Sequence, residues 1–159
     1  MQLKGVFPAM ATPLTPEERI DQPSLKKLVH YLLDGGIHGI VALGSTGEFP
    51  AMTESMRQTV METTLAEVNG KVPVLIGCGE PGTQRTVEQV RIASQTKADG
   101  VLVAVPYYFN MDQPAVINHI LSKKGAEETL PFGPDTLVYK VGGKMFALTS
   151  PDEFPARLN

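Results

Sequence analysis

Tryptophan is missing from the 159 residues, cysteine occurs once, and only three histidines are present. With Cys78 alone no intrachain disulfide can form, and a reducing, cytoplasmic setting is expected. His30, His38 and His119 are scattered, none at metal-ligand spacing from a cysteine or another histidine, so no metal centre is expected. No apolar run approaches the roughly 20 residues that span a bilayer. Met1-Gln2-Leu3-Lys4-Gly5 also lacks the charged-then-apolar layout of a signal peptide. Dense Lys/Arg clusters are absent, and the formal net charge is -3, which argues against nucleic acid as a partner. The remainder, 42% hydrophobic and 19% charged, suits a folded domain with one core.

A strand-then-helix alternation runs to about residue 122. Val6 to Thr12 reads as a first strand, ended by Pro13. Asp21 opens a helix with Pro23 in its first turn, where a missing N–H is harmless. Leu25, Leu28, Val29, Leu32 and Leu33 make one apolar helical face, and Gly35-Gly36 stops it. Ile40 to Leu43 is the second strand. Thr53 caps the next helix, with Met56, Val60, Thr64 and Val68 on one side and Asn69-Gly70 at its end. Val72 to Ile76 is the third strand, followed by a helix from Thr83 or Gln84 carrying Val87, Val90 and Ala93. Val101 to Val105 is the fourth, before a helix capped by Asp112, with Pro114 in its first turn and Val116, Ile117, Ile120 and Leu121 on its apolar side.

These strands are continuous apolar runs, as expected of parallel strands buried on both faces. A period of about 30 residues fits the first four units of a (β/α)₈ TIM barrel, an α/β fold. A doubly wound open sheet shares the alternation, but no G-x-G-x-x-G follows the first strand.

The most informative stretch is Gly39-Ile40-Val41-Ala42-Leu43-Gly44-Ser45-Thr46-Gly47-Glu48. A buried strand opens there into two glycines around two adjacent hydroxyls, followed by a carboxylate. Bared backbone N–H groups and hydroxyl donors at a strand end suit a small anion, although a plain strand-to-helix turn would use the same residues. Chemistry in such a barrel gathers at the C-terminal ends of the strands. Those ends carry Thr12, Ser45-Thr46-Gly47-Glu48, Cys78-Gly79 and Pro106-Tyr107-Tyr108. Two hydroxyls for an anion and tyrosines for proton handling could serve one small polar substrate. Taken singly, Tyr107 and Tyr108 also read as packing residues, Cys78 as a core residue and Glu48 as support for a turn.

Gly44-Ser45-Thr46-Gly47-Glu48 after a buried strand, Pro106-Tyr107-Tyr108 two strands on, and the opening Gly5-Val6-Phe7-Pro8-Ala9-Met10-Ala11-Thr12-Pro13 together resemble the dihydrodipicolinate synthase / N-acetylneuraminate lyase family. The resemblance covers residues 1 to about 122. It implies a TIM barrel and a class I aldolase-type lyase, in which a lysine forms a Schiff base with pyruvate or another 2-oxo acid. It implies no cofactor. Ser45 and Thr46, with Gly47, match the loop whose hydroxyl pair holds the keto-acid carboxylate and takes part in proton relay, Thr46 foremost. Tyr108 matches the tyrosine that family dimers offer across their interface, so a homo-oligomer is expected. The family's fifth-strand tyrosine and sixth-strand lysine belong to the half of the barrel that follows.

From about 123 to 159 the pattern changes. Thr136 to Val141 and Lys144 to Thr149 are strand-like runs around Gly142-Gly143, a spacing that predicts a β-hairpin over 136–149. Two residues cannot join adjacent parallel barrel strands. Lys124-Gly125-Ala126-Glu127-Glu128 and the run from Pro131 to Leu148 resemble part of the MmcQ/YjbR-like family, small α+β domains without a well-defined activity. A competing alignment sets Leu137-Val138-Tyr139-Lys140-Val141 on the lyase family's fifth strand. Tyr139 would then complete the proton relay, although Lys140 would face the other side of the sheet. No lysine in a position that the resemblance supports is present, so this chain is expected to be inactive by itself. A non-catalytic binding or oligomerisation module, or a fusion or truncation product, is the alternative.

Overall fold

The computed structural model describes residues 3–121, 126–129, 137–141 and 144–149. By its contacts the chain divides into two units, Met1–Gly77 with Thr96–Asp99, and Cys78–Gln95 with Gly100–Asn159.

In the first unit, helix α1 spans Gln22–Asp34 and starts where the sequence places it. The Asp21 carboxylate accepts the Ser24 N–H at 3.1 Å and the Ser24 hydroxyl at 2.6 Å. These bonds satisfy a donor that the first helical turn leaves over. Leu25 and Val29 are fully buried, whereas Tyr31 is exposed. Strand β1 is Ile40–Ala42 and helix α2 is Glu54–Val68. Thr53 Oγ1 accepts the Met56 N–H at 3.3 Å to open α2. Asn69 closes the helix in the left-handed conformation, its N–H donating to the Leu65 carbonyl. Val60, Thr64 and Val68 are buried as their spacing predicts, joined by Met61 and Thr63. Helices α1 and α2 pack together. Glu67 of α2 accepts from Lys26 Nζ and His30 Nε2 of α1, each at 2.9 Å.

Strand β2, Val74–Cys78, pairs with β1 in parallel, with Ile40 opposite Val74 and Ala42 opposite Ile76. Asp99 pins its start: the Asp99 N–H donates to the Val74 carbonyl and the Val74 N–H to Asp99 Oδ2, both at 2.9 Å.

Three expectations about the strands are corrected. Val6 to Thr12 is not a strand; it contributes a single parallel bridge, Ala9 to Val41. The next ladder bond would need an N–H on Pro8, which proline lacks. The Val6 N–H is taken instead by His38 Nδ1 at 3.1 Å. The third run begins at Val74 and not Val72, because Pro73 cannot donate, and it continues through Gly77 to Cys78. The fourth, β3, is Gly100–Val103 and stops short of Pro106, another residue without an N–H. Leu102 is 38% exposed, so β3 is not buried on both faces.

In the second unit, the Ala104 N–H donates to the Cys78 carbonyl at 2.8 Å. Helix α3 is Thr83–Ser94, burying Thr86, Val90 and Ala93. Helix α4 is Gln113–Leu121, where Asp112 Oδ1 accepts the Ala115 N–H at 2.9 Å. Thr83 Oγ1 and His119 Nδ1, 2.9 Å apart, tie α3 to α4.

Farther along, β4 (Ala126–Thr129), β5 (Leu137–Val141) and β6 (Lys144–Thr149) form an antiparallel sheet in the order β4-β5-β6. Val138 lies opposite Leu148 and Tyr139 opposite Ala147, with a register shift between Tyr139 and Lys140. Strand β4 was not expected from the sequence. The Gly142-Gly143 turn and the Leu130–Asp135 loop lie outside the described residues. Among the described residues no helix is long and apolar enough to cross a membrane.

Candidate functional site

The loop after β1 begins at a residue that the sequence assigns to the strand. Leu43 has a φ of 57°, in the left-handed region that a bulky side chain rarely adopts. It is buried, at 3% exposure. Opposite it stands Gly77 of β2. A Cβ at position 77 would overlap the Leu43 carbonyl and lie 2.9 Å from the Gly44 nitrogen. The absent side chain is what lets the loop backbone close on the strand.

Ser45–Gly47 then forms one 3₁₀ turn, with the Gly47 N–H donating to the Gly44 carbonyl and the Glu48 N–H to the Ser45 carbonyl, both at 3.0 Å. Glu48, also at φ 57°, is a second left-handed residue, and a further short turn, Phe49–Ala51, leads into α2. The hydroxyl pair is therefore bracketed by two strained residues, an arrangement that persists only where the surroundings hold it.

Two contacts do the holding. Thr12 Oγ1 donates to the Gly47 carbonyl at 2.9 Å in a buried setting. Arg57 Nε, from α2, donates to the Phe49 carbonyl at 2.9 Å, and its guanidinium lies 5.7 Å from the centre of the Phe49 ring. Gly47 and Phe49 are buried, whereas Ser45, Thr46 and Glu48 are exposed. Among the described residues no intramolecular hydrogen bond occupies the hydroxyl of Ser45 or Thr46. The loop's backbone bonds use the N–H groups of Gly47 and Glu48, and among the described residues none uses those of Ser45 and Thr46. A compact patch of hydroxyl and N–H donors results, chemically suited to the two oxygens of a small carboxylate.

Ser45, Thr46 and Gly47 thus lie in one turn, as their adjacency requires. Tyr108 belongs to the second unit. It is 74% exposed, and its ring meets Phe109 edge-on, with centroids 4.8 Å apart. Its neighbour Tyr107 is half exposed, and Cys78 is buried. The β2–α3 loop carries a polar network. Gln89 accepts the Gly79 N–H at 2.9 Å and donates to the buried Glu80 carboxylate at 2.7 Å. The Glu80 N–H donates to Thr86 Oγ1 at 3.1 Å. Tyr139 and Lys140 are placed in β5 by their backbone register alone, and their side chains lie outside the described residues.

Sequence reasoning noted Thr12 as a polar strand end but missed its partner. It missed Arg57, the left-handed Leu43 and Glu48, and the close approach at Gly77. The glycine in the run Val74-Leu75-Ile76-Gly77-Cys78 was the one available signal, since a glycine inside a strand often marks close backbone approach.

The family model described as the dihydrodipicolinate synthetase family matches residues 2–146. A 4-hydroxy-tetrahydrodipicolinate synthase of Protochlamydia amoebophila is 38% identical over 119 residues, covering 75% of this chain and 40% of the relative. A prophage protein of the dihydrodipicolinic acid synthase family from E. coli, solved in complex with pyruvate, superposes with a TM-score of 0.72 at 31% identity, covering 76% of this chain and 40% of that one. An N-acetylneuraminate lyase of Mycoplasma synoviae superposes with a TM-score of 0.69 at 29% identity, covering 74% and 41%. These structural neighbours are TIM-barrel proteins, and this chain shares with them an α/β region with parallel strands. The chain spans about 40% of the length of the curated relative from Protochlamydia. The family match runs to residue 146. It thus crosses most of the stretch that resembles the MmcQ/YjbR-like family, and nothing in the comparisons supports that second resemblance.

Proposed function

The chain belongs to the dihydrodipicolinate synthetase family, and from that premise we propose that its Gly44–Glu48 loop holds the carboxylate of pyruvate or a similar 2-oxo acid. The reaction class is a Schiff-base, class I aldolase-type lyase. The observation that carries this reading is the exposed Ser45–Thr46 pair, presented by a 3₁₀ turn between two left-handed residues. Ser45, Thr46 and Gly47 are the binding residues. Thr46 is also the proton-relay hydroxyl, Tyr108 is a further relay group, and Ser45 and Tyr139 are lesser candidates.

A Schiff base needs a neutral lysine amine to attack the keto carbon and expel water. The resemblance puts that amine on the family's sixth strand, and it assigns none of the lysines of these 159 residues to that place. The reading for these 159 residues is non-covalent binding, and the lyase portion takes in residues 2–146, as the family match does. The exposed Tyr108 favours a homo-oligomer in which one copy offers that ring to another, and a cytoplasmic setting fits the single buried thiol.

Pyruvate titration of the ¹⁵N-labelled chain is the test. The Ser45 and Thr46 amide signals are expected to shift with saturation, and the α1 signals to stay in place. Unmoved loop signals at millimolar pyruvate would sink the binding proposal. Borohydride added with pyruvate is expected to leave the mass unchanged, and a lysine adduct would overturn the non-covalent reading.

A non-catalytic oligomerisation module is the second reading, favoured by the exposed run Tyr107, Tyr108 and Phe109. Sedimentation together with the titration separates the two readings: self-association without any pyruvate response favours the module.

A further inference from the structure

Resting on the carboxylate-loop reading, we propose that Thr12 is a positioning residue that sets the Ser45–Thr46 donors through the Gly47 carbonyl. That carbonyl ends the 3₁₀ turn, and terminal carbonyls of a helical turn have no partner within it. Gly47 is buried, so its carbonyl has little recourse to water. The Thr12 hydroxyl supplies the missing donor at 2.9 Å. Thr12 is itself only 8% exposed.

The fit is close on both sides. A Cβ on Gly47 would stand 3.3 Å from Thr12 Oγ1 and 3.1 Å from the Met10 carbonyl oxygen. The segment carrying Thr12 is registered on β1 by the Ala9–Val41 bridge, where the Met10 N–H donates to the Val41 carbonyl at 2.9 Å and the Val41 N–H to the Pro8 carbonyl at 3.0 Å. Thr12 therefore reaches the turn from a backbone already fixed to the strand that launches the turn. It holds the end opposite to the Leu43–Gly77 contact. With both ends held, Ser45 and Thr46 are left exposed between them, free to point at a ligand. Thr12 does not touch that ligand in this scheme; it acts through Gly47.

Thr12→Val keeps the shape and removes the donor, leaving a buried carbonyl unsatisfied. Thr12→Ser keeps the donor. The experiment measures backbone order by ¹⁵N relaxation in the full chain and its two variants, followed by pyruvate titration of each. In Thr12→Val the Ser45, Thr46 and Gly47 amides are expected to lose order while Leu25 and Val29 of α1 keep theirs, and Thr12→Ser is expected to restore the loop. Pyruvate affinity is expected to fall about tenfold in Thr12→Val and to stay within about twofold in Thr12→Ser. A loop equally ordered in Thr12→Val overturns the proposal. So does a loss of order spread equally through α1, or a failure of serine to restore the loop. Should the unaltered chain show no pyruvate response, the function reading fails, and the relaxation data still decide what Thr12 does.

Discussion

The Leu43 carbonyl occupies the space that a side chain at Gly77 would need, so β2 and the loop after β1 meet backbone to backbone. Leu43 is left-handed where the chain leaves β1, and the contact exists only because position 77 has no Cβ. The start of the Ser45–Thr46 turn is thereby set by a glycine on the neighbouring strand.

Gly77→Ala is expected to destabilise the chain by about 1–3 kcal/mol, since the obstacle is backbone and cannot swing aside. Urea unfolding would measure it. Gly82→Ala is the steric control: nothing lies within 4 Å of a Cβ at Gly82, and only the preference of the α3 N-cap for glycine over alanine, about 0.5–1 kcal/mol, is expected to be lost.

Asn69 closes α2 at φ 46°. Asn69→Gly should leave stability unchanged or slightly raised, because glycine adopts this conformation without a steric cost. Asn69→Val should lose about 1–2 kcal/mol, as a β-branched residue resists the left-handed region. Thermal unfolding of the two variants side by side checks the order.

Asp99 exchanges two hydrogen bonds with Val74 at the start of β2. Asp99→Ala removes the side-chain acceptor of the Val74 N–H and is expected to cost about 1–2 kcal/mol. Hydrogen exchange would show the loss locally, as faster exchange at Val74, with α1 little changed. Uniform acceleration along the chain would contradict that local role.

Glu67 holds its proton less tightly than an ordinary glutamate, chiefly through the hydrogen bond from Lys26 and then that from His30. A carboxyl with a lowered folded-state pKa stabilises the fold above its unfolded value and loses that contribution as pH falls through the folded one. The stability difference between the unaltered chain and Glu67→Gln should therefore be present at neutral pH and vanish in acid, below the usual glutamate range. Salt should shrink it, since the triad lies at the surface. A difference that is constant across pH would refute the ion-pair account.

The starts of α1, α2 and α4 were legible because each is decided within four residues. Asp21 with Ser24, Thr53 with Met56 and Asp112 with Ala115 are caps written in local sequence, and the structure forms all three. The hydroxyl pair was legible for the same reason, since Ser45 and Thr46 are adjacent and flanked by glycine. Strand limits were read less well. The apolar run predicts a strand start at Val72 although Pro73 follows it, and a strand over residues 6–12 despite Pro8. In both runs apolar character was visible, while the ladder depends on which N–H groups find a partner.

Sequence by itself determined the helices α1 to α4, the side-chain caps of α1, α2 and α4 and the apolar faces of α1 to α3, together with the presence of two adjacent hydroxyls at a strand end. Those follow from short-range periodicity and local hydrogen bonding. Only tertiary structure decided that the strand stops at Ala42 and that Leu43 and Glu48 turn left-handed. It also decided that Ser45 and Thr46 stay exposed while Gly47 is buried against Thr12. The reason is physical: a strained backbone is uphill on its own, and contacts from Gly77, Thr12 and Arg57, all remote in sequence from the turn or outside it, make it the stable arrangement.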